Sequence, residues 1–273
     1  MRRAASMALA VVLLLALPAA AAPKASLWGK WLVHDPASTL TVDHGRWQGF
    51  IAAYVGKGAD GINRVAYGHV TAIDRQSLDG YIAGLEATPV SRLNRPEQLA
   101  FWINLYNALT VKVVLDHFPV ASIRDIDISP GLLADGPWGR PLATVEGQPV
   151  SLDDIEHRIL RPIWKDPRIH YGLNCASLGC PNLPLAAVTA ENAEALLTQA
   201  ARDYVNHPRG VSVGDGPLIV SSLYDWYRDD FGGTDETVIA HLKRFAEGAT
   251  KGRLDAARRI DGYSYDWAVN ATL

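Results

Sequence analysis

Two cysteines in 273 residues are too few for a scaffold held together by disulfides instead of a core. There is no basic run, and 26 Lys and Arg stand against 29 Asp and Glu, so the footprint of a nucleic-acid binder is missing. A phosphate loop, a dinucleotide fingerprint and a Gly-x-Ser-x-Gly elbow are also lacking, which leaves no nucleotide-cofactor or serine-hydrolase signature. No internal repeat, low-complexity tract or Pro/Gly/Ser-rich linker divides the chain. One apolar run stands out, Met7 to Leu17, and it stops well short of the roughly 20 residues that span a bilayer.

That run fits a secretory signal instead. Arg2 and Arg3 give a positive start, the apolar stretch follows, and Pro18 with Ala19–Ala22 supplies a small-residue cleavage region. The expected organisation is a signal peptide over 1–22 and a single domain over 23–273. Neither cysteine, Cys175 or Cys180, lies near the cleavage region, so no lipid anchor is expected there. The expected location is periplasmic or extracellular, with no membrane anchor after cleavage. Removing 1–22 takes away two arginines and no acid, moving the formal charge from −3 to −5.

Helix starts are legible along the rest. Asp43–Val55 and Asp74–Ala87 are short amphipathic stretches. Asn94-Arg-Pro-Glu97 combines a capping asparagine, a first-turn proline and a glutamate three residues on, predicting a helix to about His117. Ser151, Thr189 and Thr234 open three more. Hairpins are expected where Glu146-Gly147 joins Leu142–Val145 to Gln148–Ser151, and where Gly214–Gly216 joins Gly210–Val213 to Leu218–Ser221. Ile169–Asn174 alternates as a core strand. Tyr263–Asn270 alternates as a closing strand with Tyr263, Tyr265 and Trp267 on one face. The fold class this implies is α+β: a small antiparallel or mixed sheet around a buried Arg95–His117 helix, with flanking helices.

The central helix is apolar almost all round, and its polar exceptions include Asn104 and Asn107. Buried amides need partners, either loop backbone or a ligand in a pocket. Its motif, Phe101-Trp-Ile-Asn-Leu-Tyr-Asn-Ala108, is followed in order by Ser122-Ile-Arg-Asp125, Leu152-Asp-Asp-Ile-Glu-His157 and Asp166-Pro-Arg-Ile-His170. Leu173-Asn-Cys-Ala-Ser-Leu-Gly-Cys-Pro181 and Trp226-Tyr-Arg-Asp-Asp-Phe231 complete the series. Together these resemble the bacterial family catalogued as domain of unknown function 547, from about Trp31 to the Tyr263–Asn270 tail. The resemblance implies one domain in an often exported family. It implies no reaction.

Chemistry therefore has to come from the residues. On a helix from Ser151, Glu156 falls inside the apolar stripe and His157 on its flank. A carboxylate aimed at the core must be paired, with Arg161 or Arg168 available, or must serve as an acid or base. Cys175 follows a core segment, with His157, His170 and Glu156 within twenty residues: the ingredients of a cysteine nucleophile. His170 pairs with Cys175 only if the strand breaks near Asn174. The rival reading is a Cys175–Cys180 disulfide that staples the loop. A metal site from His170, Cys175 and Cys180 matches no standard zinc spacing. In the Trp226–Phe231 segment the aromatics read as packing, with Asp230 a cap or ion-pair partner.

Two functions remain open. The first is a cysteine-dependent hydrolase or acyltransferase of the cell envelope: Cys175 attacks, His157 or His170 is the base, and Glu156 orients or transfers protons. In it Asn104, Asn107 or Asn174 donates to the oxyanion, and Trp226 borders the ligand. The second is a non-catalytic envelope protein that binds a small molecule or protein partner. Neither implies a cofactor.

Overall fold

The structure, a computed structural model, describes residues 23–131, 135–214 and 216–272. The expected signal peptide lies outside these residues. Among them, no helix is long and apolar enough to cross a membrane.

The chain opens with α1 (Gly45–Tyr54), the ribbon of β1 (Val55–Lys57) and β2 (Asn63–Val65), and α2 (Ala72–Glu86). Next comes α3 (Arg95–His117), which the fold is built around. Asn94 caps it as expected, its Oδ1 accepting the Glu97 N–H at 3.0 Å. The second half of the expected box is missing, because Glu97 turns away and accepts the Val42 N–H at 3.2 Å. Ala100 to Val111 is buried without interruption, so α3 packs on all sides. The hairpin of β3 (Ala143–Val145) and β4 (Gln148–Val150) follows, as expected. Its two turn residues, Glu146 and Gly147, both have positive φ (46° and 72°), the geometry that matches strand twist in a two-residue turn.

The segment opened by Ser151 departs from a regular helix. Asp154–Leu160 is π-helical, with the Arg161 N–H reaching the Glu156 carbonyl, and the α-helical turn α4 (Arg161–Trp164) continues it. Pro162 has no N–H to give to the Arg158 carbonyl. That carbonyl and the one before it are met from outside: Trp28 N–H reaches Arg158 O and Ser26 N–H reaches His157 O, both at 2.9 Å. The widened turn also moves His157 from the flank expected of a regular helix to a buried position beside Glu156.

Ile169–Asn174 is not a strand. Ile169–Gly172 is a helical turn, α5, and extended backbone begins only at Leu173. The Asp166 carboxylate accepts both the Arg168 N–H and its guanidinium, which starts a turn at Pro167. Four consecutive buried residues carry no periodicity that separates a strand from a short helix. Beyond it come α6 (Ala193–Val205), β5 (Ile219–Ser221), α7 (Leu223–Trp226), α8 (Asp235–Lys243), α9 (Gly248–Ala256) and β6 (Gly262–Ser264). The expected Gly210–Ser221 hairpin is reduced to one antiparallel bridge, Val211 to Val220, while β5 pairs in parallel with β6.

The architecture is thus α+β in a single domain, mostly helical, with its strands in two-stranded ribbons and not in one sheet. Two apolar clusters fill it. One surrounds α3, and the other gathers Tyr171, Tyr204, Tyr224, Phe231 and Leu242. The C-terminal tail crosses the molecule and ties its parts: Ala268 bridges Ser122, Val269 bridges Ser177 and Ala271 bridges Val65.

Candidate functional site

The loop after Leu173 is fixed by amides. Asn107 donates to Gly172 O and accepts from Asn174 N–H, both at 2.9 Å, while Asn104 clamps both backbone groups of Val188. Asn174 donates to Pro181 O and accepts from Ala176 N–H and from Asn270. Asn107 and Asn174 are spent on this loop and Asn104 on the backbone of Val188, and none of the three is in the cavity lining described next. Ala176 sits at φ 58°, a left-handed conformation costing a non-glycine residue about 1–2 kcal/mol. The Asn174 and Asn270 bonds hold it there, and the turn directs Cys175 outward.

Cys175 stands on the wall of a cavity of about 410 Å³, also lined by Glu156, His157, His170 and Trp226. These five sequence candidates therefore meet. Three further aromatics, Trp138, Tyr265 and Trp267, form one side with Trp226; the Tyr265 and Trp267 ring centres are 4.7 Å apart. Tyr265 and Trp267 leave the strand expected for them, since β6 ends at Ser264, and only Tyr263 turns away to meet Arg228. Gly179 makes this possible. A Cβ there would fall 2.7 Å from the Asp266 nitrogen, so only glycine lets the tail pass this close.

Cys175 is half-buried, and its sulfur lies 3.0 Å from Tyr265 Oη and 3.2 Å from Ser177 Oγ. Cys180 is buried behind it, its Sγ accepting the Cys175 N–H at 2.9 Å. Both thiols are free, so this structure contains no staple. Burial pushes the Cys175 thiol up, but hydrogen bonds from Cys180, Ser177 and Tyr265 outweigh that and bring it below the usual thiol range. Cys180, with more burial and less help, stays well above it.

No histidine among the described residues bonds to that sulfur. His170 is buried, with Nδ1 3.2 Å from Glu156 and Nε2 2.7 Å from Asp230, and its ring stacks on Tyr227 at 4.0 Å. Burial works against its charge, yet the two carboxylates outweigh burial and raise its pKa. Two ionised acceptors require both nitrogens to donate, so His170 is a fixed imidazolium and not a base. Burial likewise opposes ionisation of Glu156 and Asp230, and the neighbouring cations prevail, holding each at about 2. His157 accepts from Arg161 at Nδ1 (3.0 Å), which puts its own proton on Nε2, 3.4 Å from Asp153. That proton faces the Asp153 carboxylate, which also lines the cavity. Arg161 closes the chain with Nε 2.5 Å from Asp230, while Arg168 pairs with Asp166 and Glu194, away from Glu156.

Sequence reasoning missed Tyr265, Tyr227 and Tyr106 as site residues, because each sits in an apolar pattern that reads as packing. Asp230 carried the one usable signal, an acid amid aromatics with no helical partner nearby. Among the described residues, no group of three His, Cys, Asp or Glu side chains converges as metal ligands do.

Residues 90–205 match the model of the family described as "Protein of unknown function, DUF547", as the motif order implied. No curated protein and no solved structure matches the chain.

Proposed function

We propose that this chain is an exported, cysteine-dependent acyl-transfer enzyme or hydrolase of the cell envelope, with Cys175 as its nucleophile. The observation that carries the reading is the Cys175 sulfur on the wall of the aromatic cavity, within hydrogen-bond distance of the Tyr265 hydroxyl, which itself accepts from Ser177. Hydroxyl donors stabilise a thiolate without a base in contact with it. In the step proposed, the thiolate bonds to the acyl carbon and the carbonyl π pair moves to oxygen. Collapse expels the leaving group, which takes a proton from solvent. Water or an acceptor then attacks the thioester and gives its proton to solvent, and sulfur departs as thiolate. His157, which lines the cavity with its Nε2 facing Asp153, turns that proton to the developing charge. The imidazolium of His170 keeps Glu156 ionised. The export part of the proposal rests on the signal-like run over residues 1–22.

A second reading, non-catalytic ligand binding, is favoured by the lack of any histidine on the sulfur. The two separate in one experiment: intact mass of protein exported through its own signal, exposed to p-nitrophenyl acetate and then to an alkylating agent. The enzyme reading expects one transient acetyl group on Cys175, absent from a folded Cys175→Ala variant. A Cys175–Cys180 bridge that blocks both thiols, or a free Cys175 that never acylates, decides for binding.

A further inference from the structure

Buried tyrosine hydroxyls almost always find a hydrogen-bond partner. In this protein Tyr67 donates to Asn270, Tyr204 to Gly179 O, and Tyr81 meets His44. Tyr106 departs from the pattern. It projects from the middle of α3, is only 2% exposed, and its hydroxyl has no hydrogen-bond partner among the described residues. It is not sealed in either. It lines the cavity, and it is not among the buried polar atoms left without a partner. An α3 side chain that is otherwise core thus delivers one unused O–H to the cavity floor.

Two neighbours give that group a context. Glu156 and Cys175 line the same cavity, and burial together with their negative charge pushes the Tyr106 pKa well above 10, so it remains a phenol. Glu156 is a carboxylate that accepts from His170 and from the Tyr227 hydroxyl, and its oxygens retain further lone pairs. The cavity lining therefore holds both a free donor and an ionised acceptor, within apolar walls of Trp138 and Trp226. A primary amide carries the complementary pair on adjoining atoms, a carbonyl oxygen to accept and an N–H to donate. A carboxylate meets the like charge of Glu156. A ketone or ester leaves it without a donor.

We infer that Tyr106 and Glu156 form the recognition pair for an amide, the Tyr106 hydroxyl donating to the carbonyl oxygen and the Glu156 carboxylate accepting from the N–H. This deepens the acyl-transfer reading and rests on it for the step that follows binding: the amide carbonyl is the carbon Cys175 attacks. Tyr106 then holds the oxygen on which charge develops.

The probe is benzamide, titrated onto the mature protein by calorimetry or protein-observed NMR. Benzamide is expected to saturate one site. Acetophenone and N,N-dimethylbenzamide, which keep the carbonyl and lose the N–H, are expected to bind about tenfold more weakly, and benzoate weaker still. Tyr106→Phe is expected to weaken benzamide about tenfold without lowering the melting temperature, since no internal bond is lost. Equal affinity for benzamide and acetophenone overturns the amide assignment, and this comparison needs only the natural chain. Unchanged benzamide affinity in Tyr106→Phe overturns the role of Tyr106. Cys175→Ala is expected to bind benzamide normally. If the natural protein recognises amides as described yet Cys175 never acylates, the pair stands and the nucleophile falls.

Discussion

Replacing Glu156 with Gln keeps the side chain's shape and removes its charge, which isolates the electrostatics of the buried chain Glu156–His170–Asp230–Arg161. The Gln amide oxygen can still accept from His170 Nδ1, so the loss is that of a negative charge, buried against desolvation, that faces His157, His170 and Arg161. The size follows from the ionisation of Glu156, whose pKa is lowered from 4.5 to about 2. At about 1.4 kcal/mol per unit, the folded state stabilises the carboxylate over its neutral form by about 3 kcal/mol at pH 7. The sign is that of a depressed acid: the stabilisation is complete above the unfolded pKa and is lost as pH falls toward the folded one. The gap between natural protein and variant is thus expected to be about 3 kcal/mol at pH 7 and roughly 2 kcal/mol near pH 3.5. It should close near pH 2. Urea unfolding at pH 7, 5 and 3.5 measures it. The figure belongs to the network and does not add to a like value for Asp230, because both carboxylates share His170. A gap under 1 kcal/mol at pH 7, or one that does not change with pH, refutes the reasoning.

Asn107→Ala strands the Gly172 carbonyl and the Asn174 N–H in the core, and at about 1–3 kcal/mol for an unsatisfied buried group it is expected to cost about 2–4 kcal/mol in urea unfolding. A loss below 1 kcal/mol means that the loop finds other partners. Tyr265→Phe removes one donor from the Cys175 sulfur, so the thiol pKa is expected to rise and alkylation by iodoacetamide at pH 7 to slow. The pH–rate profile reads this directly, and an unmoved profile assigns the sulfur's environment to Ser177 and Cys180.

How much of this was legible beforehand depended on the range of the interaction concerned. The caps of α3 and α8, the Glu146-Gly147 turn and the burial of the central helix follow from residues within a few positions of one another, where local sterics and hydrogen bonds decide. The order of motifs likewise pointed to the family model that matches residues 90–205. A short buried run such as Ile169–Gly172 has no such local code, since every face is buried and the Asp166–Arg168 turn before it decides.

Glu156, His157, His170 and Cys175 could be named as candidates from type and pattern, because ionisable or reactive groups in apolar surroundings need a reason to be there. Their roles could not be assigned this way. His170 is barred from acting as a base by Asp230, sixty positions away, and the Cys175 sulfur is held by Tyr265, ninety positions away. Only the crossing of the C-terminal tail, admitted by Gly179, brings that hydroxyl to the thiol. The sequence by itself determined which groups were costly to bury and where helices begin. Tertiary structure decided which charges neutralise each other and which hydroxyl is left free. Pairing energies depend on distances of a few ångströms, and those are set by packing between segments remote in the chain.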